Sequence, residues 1–296
     1  MATPTLVESV KNGIVGTIKG TGEIINAVTD TVSDVLANTL KSTGKVGGAA
    51  TEAAADVARG VIQGTSQVGG DLGSAAKGMV VGVLRGTGEV GSEALTTISS
   101  SVSSLVRETA SVGGNVGTTA KNAVEGTIQA AKDVGVNAGD AVATAVAGAV
   151  RAAGDVGTST TEAVTGIASG VIRGTSQVGG ELGTAARNAV LGVLRGAKDV
   201  SAGAFSAVSD TAEAVVKETA EVGGNLGQAA KNAVEGAIQG ARELGLDVTE
   251  AASAAATGAV KAAGRVSQSA TEEVTKAVTG VVAGVKVVVQ SPFKKA

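Results

Sequence analysis

The chain has 296 residues, 45 of them Gly, with two Phe, two Met, two Pro and no Cys, His, Trp or Tyr. Without thiol or imidazole it forms no disulfide and no thiolate or histidine metal site, and it lacks the commonest general base. Its 24 basic and 27 acidic residues are spread along the chain and nearly cancel, which leaves no polybasic footprint for nucleic acid or anionic lipid.

Residues 1–15 read as a lead-in, without the basic start and continuous apolar run of a signal peptide. From position 16 a short slot recurs with a 22-residue period. It reads GTIK at 16, NTLK at 38, GVIQ at 60, GVLR at 82, SLVR at 104, GTIQ at 126 and GAVR at 148. It continues as GVIR at 170, GVLR at 192, AVVK at 214, GAIQ at 236, GAVK at 258 and GVVA at 280, thirteen copies without an insertion. Five units make a longer echo: GVIQGTSQVGGDLG at 60–73 returns as GVIRGTSQVGGELG at 170–183, so that 60–147 and 170–257 read as duplicates. The array spans 16–289 and leaves a tail at 290–296, where Pro292 keeps the last helix from running into SPFKKA. No uncharged apolar run reaches the ~18 residues of a membrane span; AVTGVVAGVKVVV at 277–289 is too short and carries Lys286. A soluble intracellular chain, or one at an intracellular lipid surface, is expected.

A period of 22 is twice 11, and an 11-residue stretch of helix completes about three turns, so each position returns to the same side. β-Structure would need sustained alternation, which is absent. The expected fold is all-α: thirteen amphipathic repeats with a wide, shallow apolar face. That face carries Ile18, Leu40, Ile62, Leu84, Val106, Ile128, Val150, Ile172, Leu194, Val216, Ile238 and Val260. Beside it stand small residues suited to close packing, Gly20, Gly64, Gly86, Gly174, Gly196 and Gly240. Opposite lie Lys19, Arg85, Arg151 and Arg195, each followed at i+4 by Glu23, Glu89, Asp155 or Asp199, a spacing that supports weak pairs within one helix.

Each glycine inside a helix costs about 1 kcal/mol relative to Ala, and two arrangements offset this. Gly-Gly at 47–48, 69–70, 113–114, 179–180 and 223–224 could end helices, with Asp71, Asn115, Glu181 or Asn225 starting the next. Alternatively the helix continues and its glycines let another backbone approach closely. VGVN at 134 and LGLD at 244 lack the double glycine, which speaks against a turn in every unit. Long helical segments broken at some Gly-Gly sites, in a bundle or stack, are therefore expected.

Sequences that look like chemistry belong to the repeat. GTGEVG at 86–91 has the dinucleotide spacing G-x-G-x-x-G, but the same slot elsewhere reads GTSQVG and a 22-residue unit is too short for a βαβ fold. SAAK at 74–77 has a Ser-x-x-Lys pattern that becomes QAAK at 228. Asp30 with Asp34 and Glu52 with Asp56 are exposed carboxylate pairs lacking a calcium loop. Thr21, Thr43, Thr65, Thr87 and Thr109 recur beside Gly and Ala, a row that invites comparison with ice-binding surfaces but also suits small filler. No enzyme, cofactor, metal or small-molecule substrate is expected.

The 11-residue phase, the Val/Thr/Gly apolar face and phrases such as AVEGTIQAAKDVG at 123–135 and AVEGAIQGARELG at 233–245 resemble the lipid-surface repeats of perilipins and synucleins. The resemblance implies a non-enzymatic chain that folds as a long amphipathic helix on a lipid droplet or membrane. Synuclein-like repeats flank the apolar face with lysines, whereas here the charges lie opposite it and balance. Late-embryogenesis-abundant stress proteins, which are more highly charged, resemble the chain less. The expected partners are a lipid surface or copies of itself: an interface coat or, alternatively, a self-packing bundle, coiled coil or filament held by Gly/Ala/Thr faces.

Overall fold

In a computed structural model the described residues are 5–21, 23–43, 48–87, 92–135, 137–197 and 203–289. They form α1 (Leu6–Thr21), α2 (Ile24–Thr43), α3 (Gly48–Gln67), α4 (Leu72–Thr87), α5 (Ser92–Ser111), α6 (Val116–Val134) and α7 (Ala138–Asp155). These are followed by α8 (Thr160–Gln177), α9 (Leu182–Ala197), α10 (Ala204–Glu221), α11 (Leu226–Leu244), α12 (Val248–Val266) and α13 (Gln268–Val278). A short hairpin, β1 (Gly280–Val282) and β2 (Val285–Val287), ends the described chain. The fold is all-α, and the helix breaks once per repeat instead of running through several. The lead-in boundary also moves, since α1 starts at Leu6.

Among the described residues the turns between α3 and α4, from α5 to α9 and from α10 to α12 are each written by one glycine in the left-handed region. Gly113 has φ +70 and Gly135 has φ +72, values open to glycine without the steric penalty of a β-carbon. After the double glycine the next N–H closes the helix end: Gly114 N donates to Thr109 O at 2.9 Å, as Gly180 N does to Thr175 O, the Schellman pattern. The single-glycine copies close the same way, Leu246 N donating to Ala241 O at 2.9 Å. One left-handed glycine therefore suffices, which is why VGVN and LGLD are turns too. The next helix is then capped: Asn115 accepts from Thr118 N, Asn137 from Gly139 and Asp140 N, Asn225 from Gln228 N and Asp247 from Glu250 N. Asp71 accepts from Ser74 N at 2.6 Å. Glu181, with its longer side chain, instead accepts from the Thr184 hydroxyl.

Each helix packs most extensively on a helix two away in the chain and less on its immediate neighbours. Odd-numbered helices thus form one layer and even-numbered helices the other, a two-layered α-solenoid. Within a layer the helices run parallel in constant register. Where a glycine heads the slot of a helix that has a partner two back, it lies against a main-chain carbonyl of that partner: Gly126 on Lys77, Gly148 on Ser99 and Gly192 on Ala143. A β-carbon on these glycines would stand 2.7, 2.8 and 2.6 Å from the carbonyl oxygens. Glycine is required there because two backbones meet. Five units is an odd number, so the 110-residue echo places its two copies in opposite layers, α3 in one and α8 in the other.

The thirteenth copy departs from the pattern. Ser267 occupies the position of the turning glycine, and the chain reverses through that single extended residue (φ −168, ψ 166), which ends α12 and caps α13 through Ala270 N. GVVA at 280, expected in helix, is strand. Gly280, Val281 and Val282 pair antiparallel with Val287, Lys286 and Val285 across Ala283 (φ +48) and Gly284 (φ +81), the positive-φ pair of a two-residue hairpin. Val282 and Val287 are buried in the core that α11 and α12 share, so the hairpin covers the C-terminal end of the stack.

Two substitutions in the same slot test the register. Gly16 is helical but has open space where α1 has no helix two before it, so Gly16→Ala should raise stability by about 0.5–1 kcal/mol. Gly126→Ala should lower it by roughly 1–3 kcal/mol through overpacking, read as opposite shifts of the denaturant midpoint.

Candidate functional site

The repeated apolar and small-residue faces are the candidate site. Ile62, Leu84, Val106, Ile128, Val150, Ile172, Leu194, Val216, Ile238 and Val260 are all buried between this chain's own helices. Ile18 is partly buried against the same core, and the side chain of Leu40 lies outside the described residues. Of the small residues, Gly64 lies on Lys11 O and Ile14, Gly86 on Ser33, Gly174 on Ile128 and Glu125, Gly196 on Ala147 O and Gly240 on Leu194. The surroundings of Gly20 fall outside the described residues. The closest backbone approaches belong instead to the slot-heading glycines such as Gly126, Gly170 and Gly236. Their signal was available in the sequence as the most regular glycine of the repeat.

The charged stripe pairs differently from the expectation of i,i+4 contacts. Arg85 reaches Asp133 at 3.0 Å, Arg107 reaches Asp155 at 2.5 Å and Arg195 reaches Glu243 at 2.7 Å, each 48 residues on. Arg59 pairs with Glu108 at 3.1 Å, and Arg173 bridges Glu218 and Glu221 at 2.8 and 2.6 Å. Close helix approach brings the rims of helices two apart within side-chain reach, so Asp155, which sequence spacing assigned to Arg151 of its own helix, also pairs with Arg107 of the neighbouring one. Glu89 and Asp199 lie outside the described residues. Pairs as exposed as these each contribute on the order of 0–1 kcal/mol. Burial pushes the Glu243 carboxyl up, but hydrogen bonds from Arg195 and Gln239 with the charges of Arg195 and Arg187 outweigh it and hold it below its ordinary value. Hydrogen bonding and charge from Glu218 raise the Arg173 guanidinium.

The chemistry-like motifs dissolve into this packing. Lys77 of SAAK pairs with the buried Glu125 at 3.7 Å, and Ser74 lies in the first turn of α4. Residues 88–91 of GTGEVG lie outside the described residues. Thr65 and Thr109 are fully buried; the side chains of Thr21, Thr43 and Thr87 are outside the description. Among the described residues no three acidic side chains are placed to hold a metal ion, and no helix is long and apolar enough to cross a membrane.

The buried threonines show how the duplication drifted. Thr109 donates to Thr119 Oγ1 at 3.2 Å. Its counterpart Thr219 faces Ala at 229 and its buried hydroxyl has no partner among the described residues. Thr219→Val should therefore gain about 1 kcal/mol, whereas Thr109→Val should gain nothing or lose stability, in parallel urea titrations. No protein-family model matches the chain, and no curated protein is significantly similar to it.

Proposed function

We propose that the chain is a non-enzymatic structural protein: a self-packed helical-repeat scaffold whose apolar stripes serve to join its own units. The observation that carries this reading is the burial of ten of those stripe residues, from Ile62 to Val260, between helices of one chain. An apolar face already covered has no further apolar area to gain by meeting lipid. Both ends of the stack also favour a discrete body over a filament. The hairpin covers α11 and α12, and the exposed edge of α1 carries Glu8, Ser9 and Asn12, the polar outer surface that terminal repeats of a solenoid need. Among the described residues the long faces present hydrogen-bonded charged pairs, and the exposed large apolar side chains are Ile25, Val112, Val266, Val281 and Val288.

A lipid coat would use the same stripes only after the helices separate, and this difference is measurable. Far-UV circular dichroism and gel filtration in plain buffer should give a strongly helical, compact species, with the spectrum unchanged by phosphatidylcholine vesicles or an oil emulsion. A disordered chain in buffer that becomes helical with lipid would overturn the scaffold reading in favour of the coat.

A further inference from the structure

Where the N-terminal ends of helices two apart pass each other, two recurring positions meet. Gly73 faces Asn122, Gly139 faces Asn188 and Gly183 faces Asn232, the glycine in each case leaving room for the amide. Between α10 and α12 the same two positions hold Phe205 and Ala254. A ring replaces what is elsewhere mostly Gly or Thr, and a methyl group replaces what is most often Asn or Asp. At a third position both helices carry serine, Ser209 and Ser253, as α2 and α5 carry Ser33 and Ser99, and neither has the basic residue that Lys77, Lys121, Arg187 and Lys231 supply in α4, α6, α9 and α11. Within the array Phe205 is the one aromatic residue at its position and Ala254 the one alanine at its own, and the meeting of the two is a local signal that packing alone does not require.

Between α10 and α12 lies an open surface groove of about 560 Å³, within the size range of small-ligand sites. Its lining combines the Phe205 ring with the hydroxyls of Ser206, Ser209, Thr249 and Ser253 and the carboxylate of Glu250. Among the described residues no Lys or Arg lines it, which disfavours a phosphate or another anion. The Asp247 carboxylate also lines it, but is engaged at the start of α12, where it accepts from Glu250 N at 2.8 Å. The N-terminal ends of α10 and α12 offset the two acidic charges, which weakens the case for a cation. What remains is a neutral surface with many short-range donors and acceptors and one aromatic face. A sugar ring offers the complement: hydroxyls for Ser, Thr and Glu250, and a C–H face for the phenyl ring.

We propose that the α10–α12 groove binds a neutral polyhydroxylated ligand, a short oligosaccharide. Isothermal titration of the full chain with cellotetraose, maltotetraose and chitotetraose tests this, with spermidine and inorganic phosphate as charged probes. At least one tetrasaccharide should bind saturably, with a Kd of roughly millimolar or tighter. Ala254→Asn, which returns the array's usual side chain to the floor of the groove, and Phe205→Thr should each weaken that binding by about tenfold or more. Circular dichroism checks that both variants keep their helix; should Phe205→Thr lose it, Ala254→Asn decides. Absence of saccharide binding, tighter binding of spermidine or phosphate, or unchanged affinity in Ala254→Asn would overturn the proposal. The scaffold reading stands or falls separately, on helicity in buffer.

Discussion

The close approach of parallel helices at a glycine is the contact on which the rest of the structure depends. Where Gly126 meets the carbonyl of Lys77, or Gly192 that of Ala143, the space between helices is set by backbone and not by side chains. Large residues would hold the helices of one layer apart, so the core is built mainly from Ala and Val, and Ile and Leu are fewer, in the stripe and at sites such as Ile14, Leu36, Ile98 and Ile167. This explains how a chain with two phenylalanines and no other aromatic residue still has an extended buried interior, in two clusters along the stack. The favourable term is the summed dispersion of many small contacts at short range.

The same constraint organises the surface. Helices this close leave each outer face narrow, and Arg and Glu side chains at the rims reach the neighbour in their own layer. The recurring long-range pairs, Arg85 with Asp133 and Arg195 with Glu243, follow from the glycine register as its outer edge. Because the duplicated block is five units long, the same residues appear on both sides of the molecule. Lys121, Asn122, Glu125 and Gln129 of α6 in one layer have the counterparts Lys231, Asn232, Glu235 and Gln239 of α11 in the other.

Much of this was legible in the sequence. The 22-residue phase defined an all-helical repeat, the positions of the apolar stripe, and Asn115, Asn225 and Asp71 as helix starts. Three features were not. A single glycine in VGVN or LGLD turns the chain as well as a pair does, because only the first of the two takes positive φ; a count of glycines cannot reveal that. Charge partners on helices two apart depend on the layer register, which no local spacing encodes. The last unit becomes a hairpin because Ser267 replaces the turning glycine and the Val-rich segment after α13 pairs with itself, a competition settled by the end of the stack. The meeting of Phe205 with Ala254 in the α10–α12 groove depends on the same layer register and was not read from the sequence.

The central claim is that residues two units apart sit side by side. The chain has no cysteine, so spin labels can be placed cleanly at Gln129 on α6 and Ser176 on α8, both exposed. Helices packed in one layer lie ~8–10 Å apart, and pulsed electron spin resonance should find the two labels within ~20 Å. A continuous amphipathic helix would separate them by ~70 Å at ~1.5 Å per residue. The shorter distance in plain buffer is what the stacked register predicts, and the longer one would contradict it.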